Sequence, residues 1–443
     1  MSDHQTAAKV ALAAAEARFA TNNPLSKVQH ELAVASLPGG NTRTLLHTPP
    51  FPLTISRGEG TSLYDLDGHK YLDLAGDLSA GLFSHTPPPP VLAALTTALT
   101  TVGLSLGGTT LAEHRHATLL CTRFDLDRVR FANSGTEANL YAVAAARRFT
   151  RKRKVVVFAG GYHGGVLSFP GTEPAAGNVD RDEYVVVPVY NDLDAAKAVM
   201  ERIAKEGDLA AVLVEALQGA GGVIPGTAEF LRGVRRVAKE AGAVFILDEV
   251  MTSRLAPGGL GREMGLEPDL VTLGKYLGGG FAFGAFGGHE EVMAVYDPRR
   301  EGALGHSGTF NNNTMAMHAG RAALEEVYTP EVCVDFNARG NGLRERLVEV
   351  SRGTRMSFTG RGSLIGVHCT EDGTEEIRSG HDVVGMERRD LNDLFWFEML
   401  EGGFWIARRG YMALILQTTD EEMDRFVDAV VRFLGRHRDI FAL

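Results

Sequence analysis

LAAVLVEALQGAGGVIPGTAEFLRGVRRVAKEAGAVFILDEV, Leu209 to Val250, holds two apolar runs with a segment of a different period between them. LAAVLVEAL and GAVFILDEV are short, uninterrupted and rich in β-branched residues, which suits strands buried on both faces, while Thr227 to Ala241 carries helical spacing. Strand, helix, strand in succession predicts a mainly parallel sheet covered by helices on both sides. The pattern extends outward through KVVVFAG (154–160), EYVVVPV (183–189) and FAFGAFGG (281–288), with a further helical segment from Asp192 to Glu206.

The ends of the chain read differently. After about Tyr328 come a helix, a strand near Ser357 to Cys369, a helix near Met386 to Leu400, a strand near Phe404 to Leu416 and a last helix opened by a Thr419–Glu422 capping box. TSLYDLDGHKYLDL, Thr61 to Leu74, has two strand-like halves around Asp67-Gly68, a hairpin signal. The expected organisation is a large α/β domain over 76–328 and a smaller α+β domain over 329–443, which the N-terminal segment 1–75 joins.

Composition removes several function classes. With 443 residues, 44% hydrophobic and 23% charged, the chain is an ordinary globular one. Its formal net charge of -10 argues against nucleic-acid partners, and the basic run RRFTRKRK (147–154) follows a helical segment whose C-terminus it complements. Cys121, Cys333 and Cys369 lie far apart with no metal-type spacing, so a reducing compartment is expected and no metal. The opening MSDHQTAAKVALAAAEARFA lacks the basic-then-apolar signature of a signal peptide and reads as an amphipathic surface helix. No apolar run approaches the roughly 20 residues that span a bilayer. A cytoplasmic location with no membrane partner is the expectation.

In an open α/β sheet, ligands sit outside the carboxyl ends of the strands. Four loops there draw attention. FANSGTEANLYAVAAARR sets Asn133, Ser134, Gly135 and Thr136 before a helical run, either as a plain N-cap or as a phosphate cradle. FAGGYHGG holds Tyr162 and His163 between glycine pairs, where an aromatic can stack on a planar ring or be incidental. ILDEV ends with Asp248, a helix cap or a partner for a buried cation, 27 positions before Lys275. VTLGKYLGGG, Val271 to Gly280, places Lys275 between a strand-like run and a flexible turn. Most lysines are solvated charges, but a desolvated one is a nucleophile toward carbonyls. Together, a phosphate cradle, a stacking aromatic, an aspartate and a lysine match the demands of pyridoxal phosphate (PLP): a Schiff-base lysine and an acidic partner for the ring nitrogen.

NSGTEAN, GGYHGG, LDEVMTSR, TLGKYLGGG and HSGTFNNN resemble the motifs of the class III aminotransferases of fold type I, from about LPGGNTR (37–43) to the last helix. The resemblance lies on the glutamate-1-semialdehyde aminomutase side, nearest the β-phenylalanine and other β-amino acid aminotransferases. It implies a mainly parallel seven-stranded sheet between helices and pyridoxal 5'-phosphate as cofactor. Lys275 would hold the cofactor as a Schiff base and shuttle a proton, and Asp248 would keep the ring nitrogen protonated. Tyr162 and Val250 would cover the two ring faces, with Glu215 nearby, although Ala216 follows where relatives carry proline. Ser134, Gly135 and Thr136 would hold the phosphate, joined by Thr309 from a second subunit, which makes the protein a homodimer.

Substrate residues follow from the same resemblance. Arg43 would grip the carboxylate of a β-amino acid and Arg409 that of a 2-oxo acid, each as a charged fork. Without it, Arg43 is a surface charge and Arg409 a salt bridge at a strand. Arg408-Arg409 replaces a Pro-Arg pair, and Leu78 sits where an aromatic can occur, so the side-chain pocket differs. The implied reaction is a ping-pong transfer from an aromatic β-amino acid to 2-oxoglutarate or pyruvate. An amine transaminase indifferent to carboxylates and an aminomutase needing no external acceptor are the alternatives. A cofactor-binding regulator lacks the basic helix pair it would need. His163 and His306 have no metal-like partners and read as loop or supporting groups.

Overall fold

The hairpin at Asp67-Gly68 belongs to the first sheet of the computed structural model, which describes residues 3–443. β1 (Ile55–Glu59), β2 (Ser62–Asp65) and β3 (Lys70–Asp73) run antiparallel in that order. Before them, α1 (Asp3–Asn22) buries Ala8, Ala15 and Phe19, one stripe at helical spacing.

The central sheet has seven strands. β4 (Arg128–Ala132), β5 (Lys154–Phe158), β6 (Tyr184–Val187), β7 (Leu209–Glu215), β8 (Val244–Asp248), β9 (Leu270–Gly274) and β10 (Gly284–Gly288) assemble in the order β4-β10-β9-β8-β7-β5-β6. All pairings are parallel except those of β10, which opposes both β9 and β4. Helix α2 (Gly135–Thr150) covers one face, packing Ala138, Ala142 and Ala145 on Val155, Val157 and Ile246. Helices α3 (Leu193–Lys205) and α4 (Ala228–Glu240) cover the other, with Met200, Phe230 and Val234 against Val156, Val212 and Phe245. Successive side chains of a strand point to opposite faces, so a sheet covered twice needs an unbroken apolar run. β7 shows this, with all seven of its residues buried.

The helix limits follow from their caps. Asp192 and Thr227 each accept a hydrogen bond from the backbone N–H three residues on, opening α3 and α4 one residue inside the ranges read from periodicity. Arg147 and Arg148 lie in the last turn of α2, but the run continues past the helix, where Arg153 pairs with Asp208. β4 is missed by a search for apolar runs, because Arg128 and Arg130 interrupt it at an edge of the sheet.

Two C-terminal expectations need correction. After α5 (Pro330–Ser351), Ser357 to Cys369 is not one strand but a hairpin of β11 (Met356–Arg361) and β12 (Leu364–Cys369), turned at Gly362 with φ 55. After α6 (Arg389–Glu401), Phe404 to Leu416 splits into β13 (Phe404–Trp405) and β14 (Tyr411–Ala413), which belong to different sheets. β13 adds parallel to β3, whereas β14 pairs with β12, and the turn between them carries Arg408 and Arg409. Gly410 makes that turn at φ 82, where a Cβ would stand 2.4 Å from the Val367 carbonyl oxygen. The last helix, α7 (Asp420–Arg436), opens with the Thr419–Glu422 capping box. α1 lies on α6, with the Phe19 and Phe397 rings 5.3 Å apart and Arg18 bonded to Glu401.

Close backbone packing gives a test. A Cβ on Gly284 would fall 2.1 Å from the Ser134 carbonyl oxygen, whereas one on Gly342, inside α5, meets nothing within 4 Å. Gly284→Ala should cost about 1–3 kcal/mol through overpacking. Gly342→Ala should add roughly 0.5–1 kcal/mol through helix propensity. Thermal midpoints moving in opposite directions are the expected result.

Candidate active site

The parallel register brings the central acidic groups together. Asp248 pairs with Glu215 on β7 and with Thr272 on β9, so the carboxyl ends of three strands meet at one level. Lys275 follows β9 directly, in the left-handed region at φ 55, an angle uncommon for a residue with a Cβ.

Asp248 is buried and held from several sides. Its Oδ2 accepts from Asn139 Nδ2 at 2.8 Å and lies 2.7 Å from His163 Nδ1, while Oδ1 accepts from the Val250 N–H at 2.9 Å. Asn139 is itself fixed, accepting from Thr272 Oγ1 at 2.7 Å and donating to the His163 carbonyl at 3.0 Å. Asn139 and Thr272 are the functional residues that the sequence reading misses. His163, read as a supporting group, is bonded to Asp248. The signals available were small: an asparagine in NSGTEAN and a histidine beside Tyr162.

Glu215 is also buried, its two oxygens accepting from the N–H groups of Tyr162 at 3.3 Å and Gly219 at 3.2 Å. Burial pushes its carboxyl up to about 7, Asp248 adds to the rise, and His163 and the two amides oppose it. Desolvation pulls the Lys275 ammonium below its ordinary value, helped by Arg409 and opposed by Asp248, Glu215 and Asp77. A larger share of neutral amine near pH 7 follows.

Two glycine-bearing loops close on each other beside this pair. Ser134 caps α2, its Oγ accepting from the Glu137 N–H, which leaves the N–H groups of Gly135 and Thr136 without acceptors inside the helix. A Cβ on Gly135 would come within 2.9 Å of Val250, and one on Gly164 within 2.3 Å of Thr136. Val250 is thus wedged between Gly135 and Gly274, while Tyr162, 46% exposed, presents its ring to solvent.

The arginines fall into three settings. Arg408 clasps Asp393 through Nε at 2.6 Å and Nη2 at 2.9 Å, donates to the Pro49 carbonyl, and lies over the Trp396 and Phe397 rings. Arg409 sits 5.5 Å over the Tyr411 ring and has no hydrogen bond or ion pair among the described residues. Desolvation pulls its guanidinium below the ordinary value, and Tyr411, Tyr162 and Glu215 oppose the shift. Arg43 is exposed and bonds Asp77 Oδ1 at 2.7 Å. Leu78 follows in the same turn, half-buried. Thr309 lies on an exposed loop and makes no hydrogen bond to Ser134, Gly135 or Thr136 among the described residues. Instead it lines a cavity of about 780 Å³ with Leu104, Leu106, Asn133, Phe281 and Phe310. His306 packs 4.3 Å from the Tyr141 ring, away from Asp248, and no metal-ligating cluster occurs among the described residues.

Orphan amides at a helix start, a buried carboxylate at a strand end and a desolvated lysine fit a phosphorylated pyridine aldehyde. The chain matches the Aminotransferase class-III family over residues 46–434 and belongs to it. It is a PLP-dependent aminotransferase. It is 47% identical over 430 residues to the beta-phenylalanine transaminase of Variovorax paradoxus, covering 96% of each chain. The crystal structure of a beta-phenylalanine aminotransferase from that organism superimposes with a TM-score of 0.94 at 45% identity, covering 98% of this chain and 99% of that one. An omega-transaminase from Sphaerobacter thermophilus follows at 0.85 and 31%, covering 93% and 98%. Among the described residues no helix is long and apolar enough to cross a membrane.

Two tests follow. The unfolded chain releases the Glu215 proton near 4.5 and the folded chain keeps it to about 7, so the cofactor-free protein loses stability as pH rises across that interval. Glu249, buried and also raised to about 7, acts in the same direction. Glu215→Gln should therefore flatten part of the decline in thermal midpoint between those values. Separately, Arg408→Ala should cost about 1–3 kcal/mol by stranding Asp393, while Arg409→Ala should change stability by less than about 0.5 kcal/mol. Thermal unfolding of the two variants separates the clasp from the free guanidinium.

Proposed function

We propose that the chain transfers an amino group from an aromatic β-amino acid, of the β-phenylalanine type, to a 2-oxo acid such as 2-oxoglutarate or pyruvate in a ping-pong cycle. The observation that carries this is a pair of guanidinium groups, one of them acting on Lys275 directly. Arg409 does so and has no ion pair among the described residues, and Arg43 is held by Asp77, which also bears on the electrostatics of Lys275. A donor carboxylate set apart from its amine by one carbon, and a 2-oxo acid in the second half-reaction, each have an arginine fork to meet. The likeness to beta-phenylalanine transaminase supports the same reading.

Bound PLP supplies an electron sink for the carbon that bears the amine. Around it, Ser134, Gly135 and Thr136 take the phosphate, and Tyr162 and Val250 bracket the ring. Asp248, held by His163 and Asn139, keeps the ring-nitrogen proton, with Glu215 alongside. The Lys275 amine would hold the cofactor and would serve as the base for the proton on the donor carbon. Thr309 completes the phosphate site across a homodimer interface, a role supported by its place on an exposed loop among exposed apolar side chains. Residues 1–75 and 329–443 form one smaller domain beside 76–328, supported by the sheet shared between β3 and β13. A reducing, cytoplasmic setting agrees with three free cysteines.

A second reading, an amine transaminase indifferent to carboxylates, draws on the exposure of Arg43 and the likeness to an omega-transaminase.

The test is a half-reaction. β-Phenylalanine alone should remove the visible absorbance of the cofactor-loaded protein, and 2-oxoglutarate or pyruvate should restore it. Lys275→Ala should reduce steady-state turnover by several orders of magnitude. An absorbance unmoved by β-phenylalanine but removed by a simple amine would overturn the β-amino acid reading and favour the second.

A further inference from the structure

Between β3 and the following helix the chain takes four consecutive left-handed residues, Gly76 (φ 49), Asp77 (φ 42), Leu78 (φ 55) and Ser79 (φ 76). For residues other than glycine each such angle costs roughly 1–2 kcal/mol, so the turn persists only because its surroundings impose it. They do so from both sides. Asp73 Oδ1 accepts from the N–H groups of Ala75 at 2.8 Å and Gly76 at 3.0 Å, and His85 Nε2 anchors the other Asp73 oxygen at 3.0 Å. On the far side the Ala413 N–H donates to the Leu74 carbonyl, and a Cβ on Gly76 would lie 2.5 Å from the Ala413 carbonyl oxygen. The turn is wedged against β14, whose first residue, Tyr411, stacks under Arg409.

The strained turn presents one charge, the Asp77 carboxylate. It bonds Arg43 Nη1 at 2.7 Å, on a turn that rests against the strand whose Tyr411 underlies Arg409, and its charge bears on Lys275. A β-amino acid whose carboxylate is taken by Arg43 sets that carboxylate where Asp77 now meets the guanidinium. We propose that Asp77 is an internal stand-in for the substrate carboxylate: it holds Arg43 over the site in the substrate-free enzyme and yields it when a β-amino acid enters. This rests on the reading of Arg43 as the β-carboxylate fork.

The magnitude is modest by construction. Both side chains are about half-exposed, at 52% and 53%, and pairs of that kind are weak, so the exchange is readily reversed. Asp77 thereby preorganises Arg43 and competes with the ligand at once. It is a positioning residue, and it sets how strongly a carboxylate is favoured over water at the mouth.

The test measures KM and kcat for β-phenylalanine, with 2-oxoglutarate saturating, in wild type, Asp77→Asn, Arg43→Ala and the double variant. Asparagine tolerates the left-handed region, so Asp77→Asn removes the charge and keeps the turn, and Asp77→Gly provides a second variant with the same property. Asp77→Asn should lower KM about two- to fivefold. Arg43→Ala should raise KM, and the double variant should match Arg43→Ala, because the effect of Asp77 passes through Arg43. If Arg43→Ala raises KM while neither Asp77 variant lowers it, the stand-in role falls and the carboxylate reading stands. If Arg43→Ala leaves KM unmoved, the carboxylate reading falls and takes the stand-in with it.

Discussion

Asp248 ends β8 as a buried carboxylate, and the cost of removing that charge from water fixes the arrangement around it. Three donors are spent on it, from His163, Asn139 and the Val250 amide. Each belongs to a different segment: the loop after β5, helix α2 and the turn after β8. Asn139 cannot turn toward the carboxylate unless Thr272 of β9 satisfies its oxygen. One carboxylate therefore ties the loops after β5 and β8, strand β9 and the start of α2 to a single geometry. A one-residue slip of β8 against β7 would send Asp248 to the opposite face and dissolve the set.

That dependence explains which parts were legible in sequence. β7 and β8 are covered on both faces, so they read as unbroken apolar runs, and α3 and α4 announce themselves through Asp192 and Thr227. β4 lies at an edge, where Arg128 and Arg130 interrupt the apolar pattern. The split of Phe404 to Leu416 also stayed hidden, since it follows from two different partners, β3 and β12, far away in the chain. Lys275 and Asp248 stood out as residue types at strand ends, sharpened by family resemblance. The network behind Asp248 did not. Its members are separated by 24, 109 and 133 positions, and no local pattern records a hydrogen bond across such distances.

The adjacent arginines show how little residue type alone decides. Arg408 and Arg409 share a turn and a charge, yet one is spent on Asp393, the Pro49 carbonyl and two aromatic faces while the other is left for solvent or ligand. The backbone there is a tight turn, closed by hydrogen bonds from Gly410 N–H to the Ala407 carbonyl and from Ala407 N–H to the Tyr411 carbonyl, so the two side chains leave it into different surroundings. Arg408 thereby supplies a tether to the N-terminal loop at Pro49, beside a neighbour of the same charge that has no such partner among the described residues.

Arg254 carries the same logic into the core. It is fully buried, its carbonyl accepts from Tyr328 Oη and Asn337 Nδ2, and its guanidinium donates to Ser363 Oγ and the Leu414 carbonyl. No carboxylate pairs with it among the described residues, and burial lowers its pKa. A guanidinium in that position is costly, and its return is geometric, because Nε and Nη2 of a rigid fork fix the loop after β8 to Ser363 and to the residue that follows β14. Asp248 lies at one end of that span and Arg409 near the other. The floor of the site is thereby coupled to the strand that directly follows the turn of Arg408 and Arg409. The exposed groups are those at the mouth: Tyr162, Arg409 and the pair of Arg43 with Asp77. Buried hydrogen bonds thus hold the floor around Asp248 to one geometry, while the charged side chains at the mouth meet water and cost little to displace.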